Sequence, residues 1–459
     1  MNPRVFREYD IRGVAERDLD DETTCAIGMA IGMRAMREGD GDRPVVVGRD
    51  PRLHSPRLFA ALTDGIRVHA PVIDIGVVPT PVLYFAAHHL QPAAAVMITG
   101  SHNPPDENGF KIMVGRETLH GAAIATLRDE VAALLREPAP HPVRSMSSRD
   151  VIGSYLEHAD ARLVVGDRRR KVVVDAGNGA GGPTAIAMFR RIGFEVVPLF
   201  CELDGSFPNH HPDPTQPENL EALIEVVKAE KAELGIALDG DADRIGAVDS
   251  TGRILWGDQL MILFGKAILA EHPGAKIIGE VKCSQAMYDL LSAAGAEVEM
   301  WKVGHSLIKA RMKETGALLA GEMSGHIFFA HRWFGFDDGI YAGARLLELL
   351  SRGEATLAER AAELPVMINT PEVRIDCPDD TKQAVVARVT ARLRADAAVK
   401  SVVDIDGVRA RFDGGWGLVR ASNTQPALVM RCEASTSARL AEIRELIEAH
   451  IAAARAEST

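Results

Sequence analysis

The sequence predicts an α/β protein: three related α/β domains, then a C-terminal α+β domain with an antiparallel sheet, set around a central cleft. Three observations carry this expectation. The chain has 459 residues, about three times a common domain. A strand–helix–strand pattern recurs three times in it, and its texture changes after Leu364-Pro365.

The three units open alike, with Pro44-Val-Val-Val-Gly-Arg-Asp50, Lys171-Val-Val-Val-Asp-Ala-Gly177 and Lys276-Ile-Ile-Gly-Glu-Val-Lys282. Short apolar runs ending in glycine or polar residues read as strands buried in a sheet. Helical patterns follow over about 56–69, 183–192 and 284–294, with strands near 72–78, 195–200 and 297–301. Each unit then has a later apolar run that ends in a polar loop. These are 95–99 before Gly-Ser-His-Asn, 234–238 before Asp-Gly-Asp-Ala-Asp-Arg, and 317–320 before Gly-Glu-Met-Ser-Gly-His. Open α/β sheets bind ligands beyond the carboxyl ends of their strands, so three such loops are expected to share one cleft.

Residues 138–142 (Pro-Ala-Pro-His-Pro) and 145–150 read as a linker closing the first unit. The tail has strand patterns at 373–377, 402–406, 417–421 and 428–433 and helical patterns at 381–394 and 437–454. That mixture fits an antiparallel α+β domain better than a fourth copy. The expected domains are 1–147, 148–252, 253–364 and 365–459.

Composition narrows the function classes. With 52 basic against 64 acidic side chains the net charge is −12, which opposes nonspecific attraction to nucleic acid or anionic membrane, so neither is an expected partner. Five separated cysteines without a C-x-x-C pair argue against a disulfide framework or zinc site. The first residues lack an apolar signal region and no run of about 18 apolar residues occurs, so a cytoplasmic protein is expected.

Four segments carry candidate chemistry. Met97-Ile-Thr-Gly-Ser-His-Asn-Pro-Pro105 sets an exposed serine, Ser101, in a tight turn after an apolar strand, with Lys111 nearby; an ordinary turn or helix cap is the alternative. Asp239-Gly-Asp-Ala-Asp-Arg244 places three carboxylates at alternate positions, a spacing suited to a hard divalent cation. It is not an EF-hand, because Arg244 stands where glycine belongs and Ser250 where the bidentate glutamate belongs. Gly177-Asn-Gly-Ala-Gly-Gly182 formally matches a dinucleotide fingerprint, yet reads better as a close-packed structural turn. Arg420-Ala-Ser-Asn-Thr-Gln-Pro426, with Arg431 on the next strand, gathers donors able to converge on a dianion, or forms a capped turn. His305, His326 and Glu322 are individually ordinary. The G-x-S-x-G nucleophile elbow is absent.

Taken together, Phe6-Arg-Glu-Tyr-Asp-Ile-Arg-Gly13, TGSHNPP, DGDADR, GEMSGH and RASNTQP resemble the α-D-phosphohexomutase superfamily, specifically its bacterial phosphomannomutase/phosphoglucomutase group, almost end to end. The resemblance implies that Ser101 is a phosphoserine and that Ser101, Asp239, Asp241 and Asp243 hold Mg²⁺. Tyr9, Arg12, His102, Asn103, Lys111 and Arg244 would surround the reacting phosphoryl group. Lys282, Gly304 and His305 would approach substrate, Glu322 and Ser324 would bind sugar hydroxyls, and Arg420, Ser422, Asn423, Thr424 and Arg431 would clamp the phosphate that is not transferred. Lys111 and His326 are the proton-transfer candidates, with Arg12 assisting electrostatically.

The implied reaction moves a phosphoryl group between C1 and C6 of mannose and glucose phosphates, with hexose 1-phosphates and hexose 6-phosphates as partners and hexose 1,6-bisphosphate as intermediate and activator. A monomer is expected. A phosphoglucosamine mutase, which generally carries another residue at Met323, is the alternative within the class. A nicotinamide-dependent oxidoreductase and a noncatalytic sugar-phosphate binding protein are the alternatives outside it.

Overall fold

Three of the four sheets share one strand order, which makes the threefold repeat a structural fact. In the computed structural model, which describes residues 1–38, 43–138, 140–422 and 425–457, the first sheet runs Val72–Val77, Val45–Arg49, Ala94–Ile98, Glu107–Val114. The second runs Glu195–Leu199, Lys171–Asp175, Leu234–Leu238, Ile245–Asp249, and the third Glu297–Trp301, Lys276–Glu280, Leu319–Gly321, Ile327–Phe329. In each, the first three strands are parallel and the last turns back antiparallel. Parallel strands need crossovers, and helices Ser55–Ile66, Gly182–Arg191 and Gln285–Ala293 supply the first in each unit.

The central strands are rich in β-branched residues and buried on both faces, as helix-covered parallel sheets require. The antiparallel return matters most for function. The connection from the third strand to the fourth holds Thr99–Asp106 in the first unit, Asp239–Arg244 in the second and Glu322–His326 in the third. The same hairpin therefore carries all three motif loops, and each turns through a residue at positive φ: Ser101 (48°), Ala242 (60°) and Gly325 (95°).

One feature read as linker differs. Met146–Ser148 pairs in parallel with Val72–Val77 as an edge strand of the first sheet. All three of its residues are exposed, so it lacks the apolar face that would announce a strand, and backbone pairing alone specifies it.

The C-terminal sheet is antiparallel, Ile368–Asn369 beside Ala427–Ala434, then Gly415–Ala421, Val408–Phe412 and Ser401–Val403, with Val373–Asp376 also on Ala427–Ala434. Helices Lys382–Ala395 and Ser437–Ala456 cover it with an apolar core of its own.

Candidate active site

Backbone contacts from all three domains grip the aspartate hairpin. Thr80 N–H donates to Asp241 O at 2.9 Å, Ala180 N–H to Gly240 O at 2.9 Å, and Ile245 N–H to Gly325 O at 3.0 Å. A Cβ on Gly179 would lie 2.6 Å from Gly240 O. The Gly177–Gly182 turn thus packs on the aspartate loop as a buttress, in keeping with its reading as a structural turn.

At the meeting point the Ser101 hydroxyl donates to Asp239 Oδ2 at 2.7 Å and lies 3.1 Å from His102 Nδ1. Ser101 was expected to be exposed, yet it is 1% exposed. The aspartate loop of the second domain covers it, with Gly240 so close that a Cβ there would be 2.3 Å from Ser101 O. A serine loop read alone could not reveal a neighbour about 140 residues away.

Asp239, Asp241 and Asp243 are fully buried and offer oxygens within 4.8 Å of one another. Burial, then the charges of Asp243 and Asp241, pushes the Asp239 carboxyl well above the ordinary range. Asp241 goes the other way: burial alone would raise it, but the Lys111 ammonium at 2.7 Å and the Thr80 hydroxyl hold it down. Lys111 also bonds Asp243 Oδ2. Although burial opposes its charge, Asp241 and Asp243 keep it an ammonium well beyond its usual range. Asp241 Oδ1 and Asp243 Oδ1 are buried without hydrogen-bond partners. Orphaned anionic oxygens in a carboxylate cluster fit a hard cation.

Around this cluster, Arg12 donates to Gly100 O and Asn103 Oδ1, each at 2.9 Å, and to Asp10 Oδ2 at 2.8 Å. Arg244 donates from Nε to His326 Nε2 at 2.9 Å. His326 Nδ1 faces Asp337 Oδ2 at 3.0 Å and Asp243 Oδ1 at 3.6 Å. Nδ1 facing carboxylates carries the proton, which leaves the Nε2 lone pair toward Arg244. Burial, then Arg244 and Arg12, holds His102 far below the usual histidine range, and burial and Lys309 do the same to His305.

The remaining candidates belong to the third and fourth domains or pack against them. Tyr9 donates to Val303 O at 2.8 Å and stands edge-on to the His305 ring. Gly304 N–H donates to Glu322 Oε1 at 2.7 Å, and Ser324 to Glu322 Oε2 at 3.3 Å. Lys282 pairs with Glu372 at 2.8 Å, Arg431 reaches Lys282 O, and Arg420 bonds Asp406 Oδ2 at 3.1 Å. Ser422 Oγ accepts from Gln425 N at 3.1 Å. Asn423 and Thr424 lie outside the described residues.

Sequence reasoning missed Arg52, Thr80, Asp337, Lys309, Glu372 and Asp406. For Arg52 a signal existed, since Asp50-Pro-Arg52 directly follows the strand Val45–Arg49, where ligand loops belong.

Matches to known families follow this geometry. Residues 3–134, 154–252, 256–367 and 372–450 match, in order, the family models "Phosphoglucomutase/phosphomannomutase, alpha/beta/alpha domain I", the corresponding domains II and III, and the family's C-terminal domain. The chain is 48% identical over 443 residues to a phosphomannomutase/phosphoglucomutase of Pseudomonas aeruginosa, covering 96% of this chain and 94% of the relative. It is 44% identical over 452 residues to a phosphoglucomutase of Neisseria gonorrhoeae, covering 97% and 96%. The crystal structure of a phosphoglucomutase/phosphomannomutase family protein from Burkholderia thailandensis superposes with a TM-score of 0.90 at 42% identity, over 99% of this chain and 98% of that one. A chain matched along all four domains, in order and at this identity, belongs to the phosphoglucomutase/phosphomannomutase family of α-D-phosphohexomutases.

Proposed function

We propose that this chain interconverts the 1-phosphates and 6-phosphates of mannose and glucose, with Ser101 as the phosphoryl carrier and hexose 1,6-bisphosphate as intermediate and activator. The observation that carries the reading is the Ser101 hydroxyl, buried and hydrogen-bonded to a cluster of three aspartates whose free oxygens fit a cation. Asp239, Asp241 and Asp243 would hold Mg²⁺ next to the Ser101 oxygen. Bound there, magnesium supplies Lewis-acid compensation of phosphoryl charge.

The protein's own groups account for the rest. The bond from phosphorus to Ser101 Oγ breaks and a bond to the sugar hydroxyl at C1 or C6 forms; that hydroxyl's proton passes to a base, and the departing Ser101 oxygen takes up a proton to become the hydroxyl that donates to Asp239. His326 is the better proton acceptor of the two candidates, since its Nε2 lone pair can exchange Arg244 for a substrate hydroxyl. Lys111, fixed as an ammonium by two carboxylates, acts through its charge, as do Arg12 and Arg244. His102 and Asn103 flank the serine, while Tyr9 and His305 pack edge to face.

The bisphosphate then turns around, the Ser101 hydroxyl gives up its proton as its oxygen takes the second phosphoryl group, His326 returns its proton to the sugar oxygen that this group leaves, and the isomeric product departs. Glu322 and Ser324 read hydroxyls common to both sugars, with the Gly304 backbone bonded to Glu322 and Lys282 near it. Arg420, Ser422, Arg431 and the Asn423-Thr424 pair grip whichever phosphate is not in transit, so one clamp serves both orientations.

The proposed domains are 1–147, 148–252, 253–364 and 365–459. We further propose a monomer located in the cytoplasm. No described helix is long and apolar enough to cross a membrane, and all five cysteines are free thiols.

The test is a panel of mannose, glucose and glucosamine phosphates assayed with Mg²⁺ and hexose 1,6-bisphosphate, together with label transfer from bisphosphate to residue 101. Turnover of mannose and glucose phosphates, lowered by about 10⁴-fold or more in Ser101→Ala, is the expected result. Undiminished turnover by that variant would remove the phosphoserine, and a preference for glucosamine phosphates would reassign the substrate.

A further inference from the structure

The backbone of Ser101 lies in the left-handed region, at φ 48°, which residues bearing a Cβ avoid. Something must hold it there. The loop's own bonds hold it in part: Ser101 N–H donates to Thr99 Oγ1 at 2.8 Å, Asn103 N–H to Gly100 O at 2.8 Å, Glu107 N–H to Pro104 O at 3.0 Å and Asn103 Nδ2 to Glu107 Oε2 at 2.6 Å. The larger constraint comes from a different loop. Arg52, 0% exposed, directs its whole guanidinium fork at the carbonyls of the serine loop. Nη2 donates to Ser101 O at 2.8 Å and Asn103 O at 2.7 Å, and Nη1 donates to Pro104 O at 2.5 Å and Glu107 O at 2.9 Å.

The fork is itself fixed from three sides. Asp50 Oδ2 lies 3.2 Å from Arg52 Nε and accepts from Gly100 N at 3.2 Å, while Asp50 Oδ1 accepts from Arg52 N at 3.0 Å and Ser55 Oγ at 2.8 Å. From the second domain, the Phe207 ring covers the guanidinium at 4.9 Å. Gly205 presses on the same residue, where a Cβ would stand 2.5 Å from Arg52 Cα. The Gly100 Cβ position is closed too, since it would fall 2.6 Å from Arg52 Cζ. Buried arginines often satisfy stray carbonyls. Here all four belong to one loop, one of them to the residue that carries the chemistry, and the second domain completes the enclosure.

Building on the phosphoserine reading, we propose that Arg52 is the positioning residue of the serine loop. It locks residues 101–107 in the turn that aims Ser101 Oγ at Asp239, and it makes that aim depend on the docking of the second domain through Gly205 and Phe207. Arg52 touches neither substrate nor the transferred group, so its effect appears in the rate of transfer and not in the capture of sugar.

Arg52→Lys is the direct test, because one ammonium cannot span four carbonyls. With loop placement loosened by the order of an ångström, kcat is expected to fall about tenfold to hundredfold. KM for hexose phosphate should stay within about threefold, since the groups proposed to hold the sugar are untouched. Amide hydrogen exchange over residues 99–107 should speed by about tenfold or more, with exchange in Leu234–Leu238 unchanged. Unchanged loop exchange, or a loss confined to KM, would overturn the proposal. If Arg52→Lys does not fold, Phe207→Leu decides: it removes only the ring, and a kcat lowered about threefold with faster loop exchange supports the lock, whereas wild-type values of both refute it. Loop exchange reads the lock even in a protein that turns over no hexose phosphate, so an inactive wild type would sink the mutase reading without touching this one.

Discussion

The first three domains and the fourth are joined by different physics. A single buried apolar cluster runs from Val46 to Leu364 through the first three sheets, and Phe85 of the first domain packs on Tyr155 of the second and Trp333 of the third. The fourth domain keeps its core to itself. It meets the third through a small patch, Val281 with Trp416 and Leu418, and otherwise through polar contacts. Arg409 donates to Val281 O and Cys283 O, Glu433 accepts from Ser284 Oγ and Gln285 N, Lys282 pairs with Glu372, and Asp406 accepts from Val303 N. Apolar junctions lose burial in full when they part, whereas polar groups exchange partners with water at small net cost. The serine, the aspartates and His326 thus sit on a fused body, and the proposed phosphate clamp sits on a domain joined to it mainly by polar contacts. A bisphosphate that must turn around needs that division.

The largest expected effect breaks the fused side. Phe85→Ala removes a 0% exposed ring shared by three domains and is expected to cost about 3–5 kcal/mol. Calorimetry should show one cooperative transition lowered by about 5–10 °C. A separate early transition of the first domain would show that the three domains are not one unit.

The docked side should fail differently. Arg409 stacks on Trp416 at 3.8 Å and satisfies two buried carbonyls of the third domain. Arg409→Met keeps the stack's apolar part and orphans those carbonyls, so the docked population falls. Apparent affinity scales with the docked fraction, and KM for hexose phosphate should rise about tenfold with kcat within about threefold and the body's melting transition in place. An unchanged KM would mean the fourth domain's docking does not limit substrate capture.

These junctions also mark what the sequence could and could not disclose. The strand–helix–strand opening of the three units follows from apolar runs bounded by glycine and polar residues, whereas the order of the strands comes from the structure alone; the motif loops follow from spacing, since three aspartates at alternate positions mean the same thing in any fold. Val408–Phe412 was legible but overlooked: Val408, Ala410 and Phe412 are buried between Arg409 and Arg411, a strand-like alternation split by arginines. Arg52 was legible in place but not in role, because the carbonyls it satisfies come from the serine loop and a carbonyl has no letter in the sequence, and Asp406 was not legible because it accepts from the Val303 backbone of another domain. Ser101 was misjudged as exposed for the same reason, since the loop that covers it comes from elsewhere in the chain.

The smallest effect concerns acid. His88 stacks on Phe334 at 4.9 Å inside the junction of the first and third domains, and burial, then Arg116 and Lys309, pushes its imidazole down to about 4. The folded state thus keeps His88 neutral while the unfolded chain takes up a proton near 6.5, so this contribution is whole above about pH 6.5 and drains away as pH falls toward 4. Glu372, on the fourth domain's side, is held down to about 2, chiefly by Lys282. Its contribution survives until pH drops below about 4.5 and is lost on the way to 2. Between pH 6.5 and 4.5 acid should therefore loosen the body while the Lys282–Glu372 pair persists. His88→Phe keeps a ring against Phe334 and cannot charge, so it should recover about 1–2 kcal/mol of the acid loss, a figure already reduced for the partial exposure of His88. The check is melting temperature against pH for both proteins, read beside KM over the same range. Parallel slopes would mean that His88 is not what makes the junction acid-sensitive, and a KM that climbs before the melting temperature falls would put the weaker joint at the fourth domain after all.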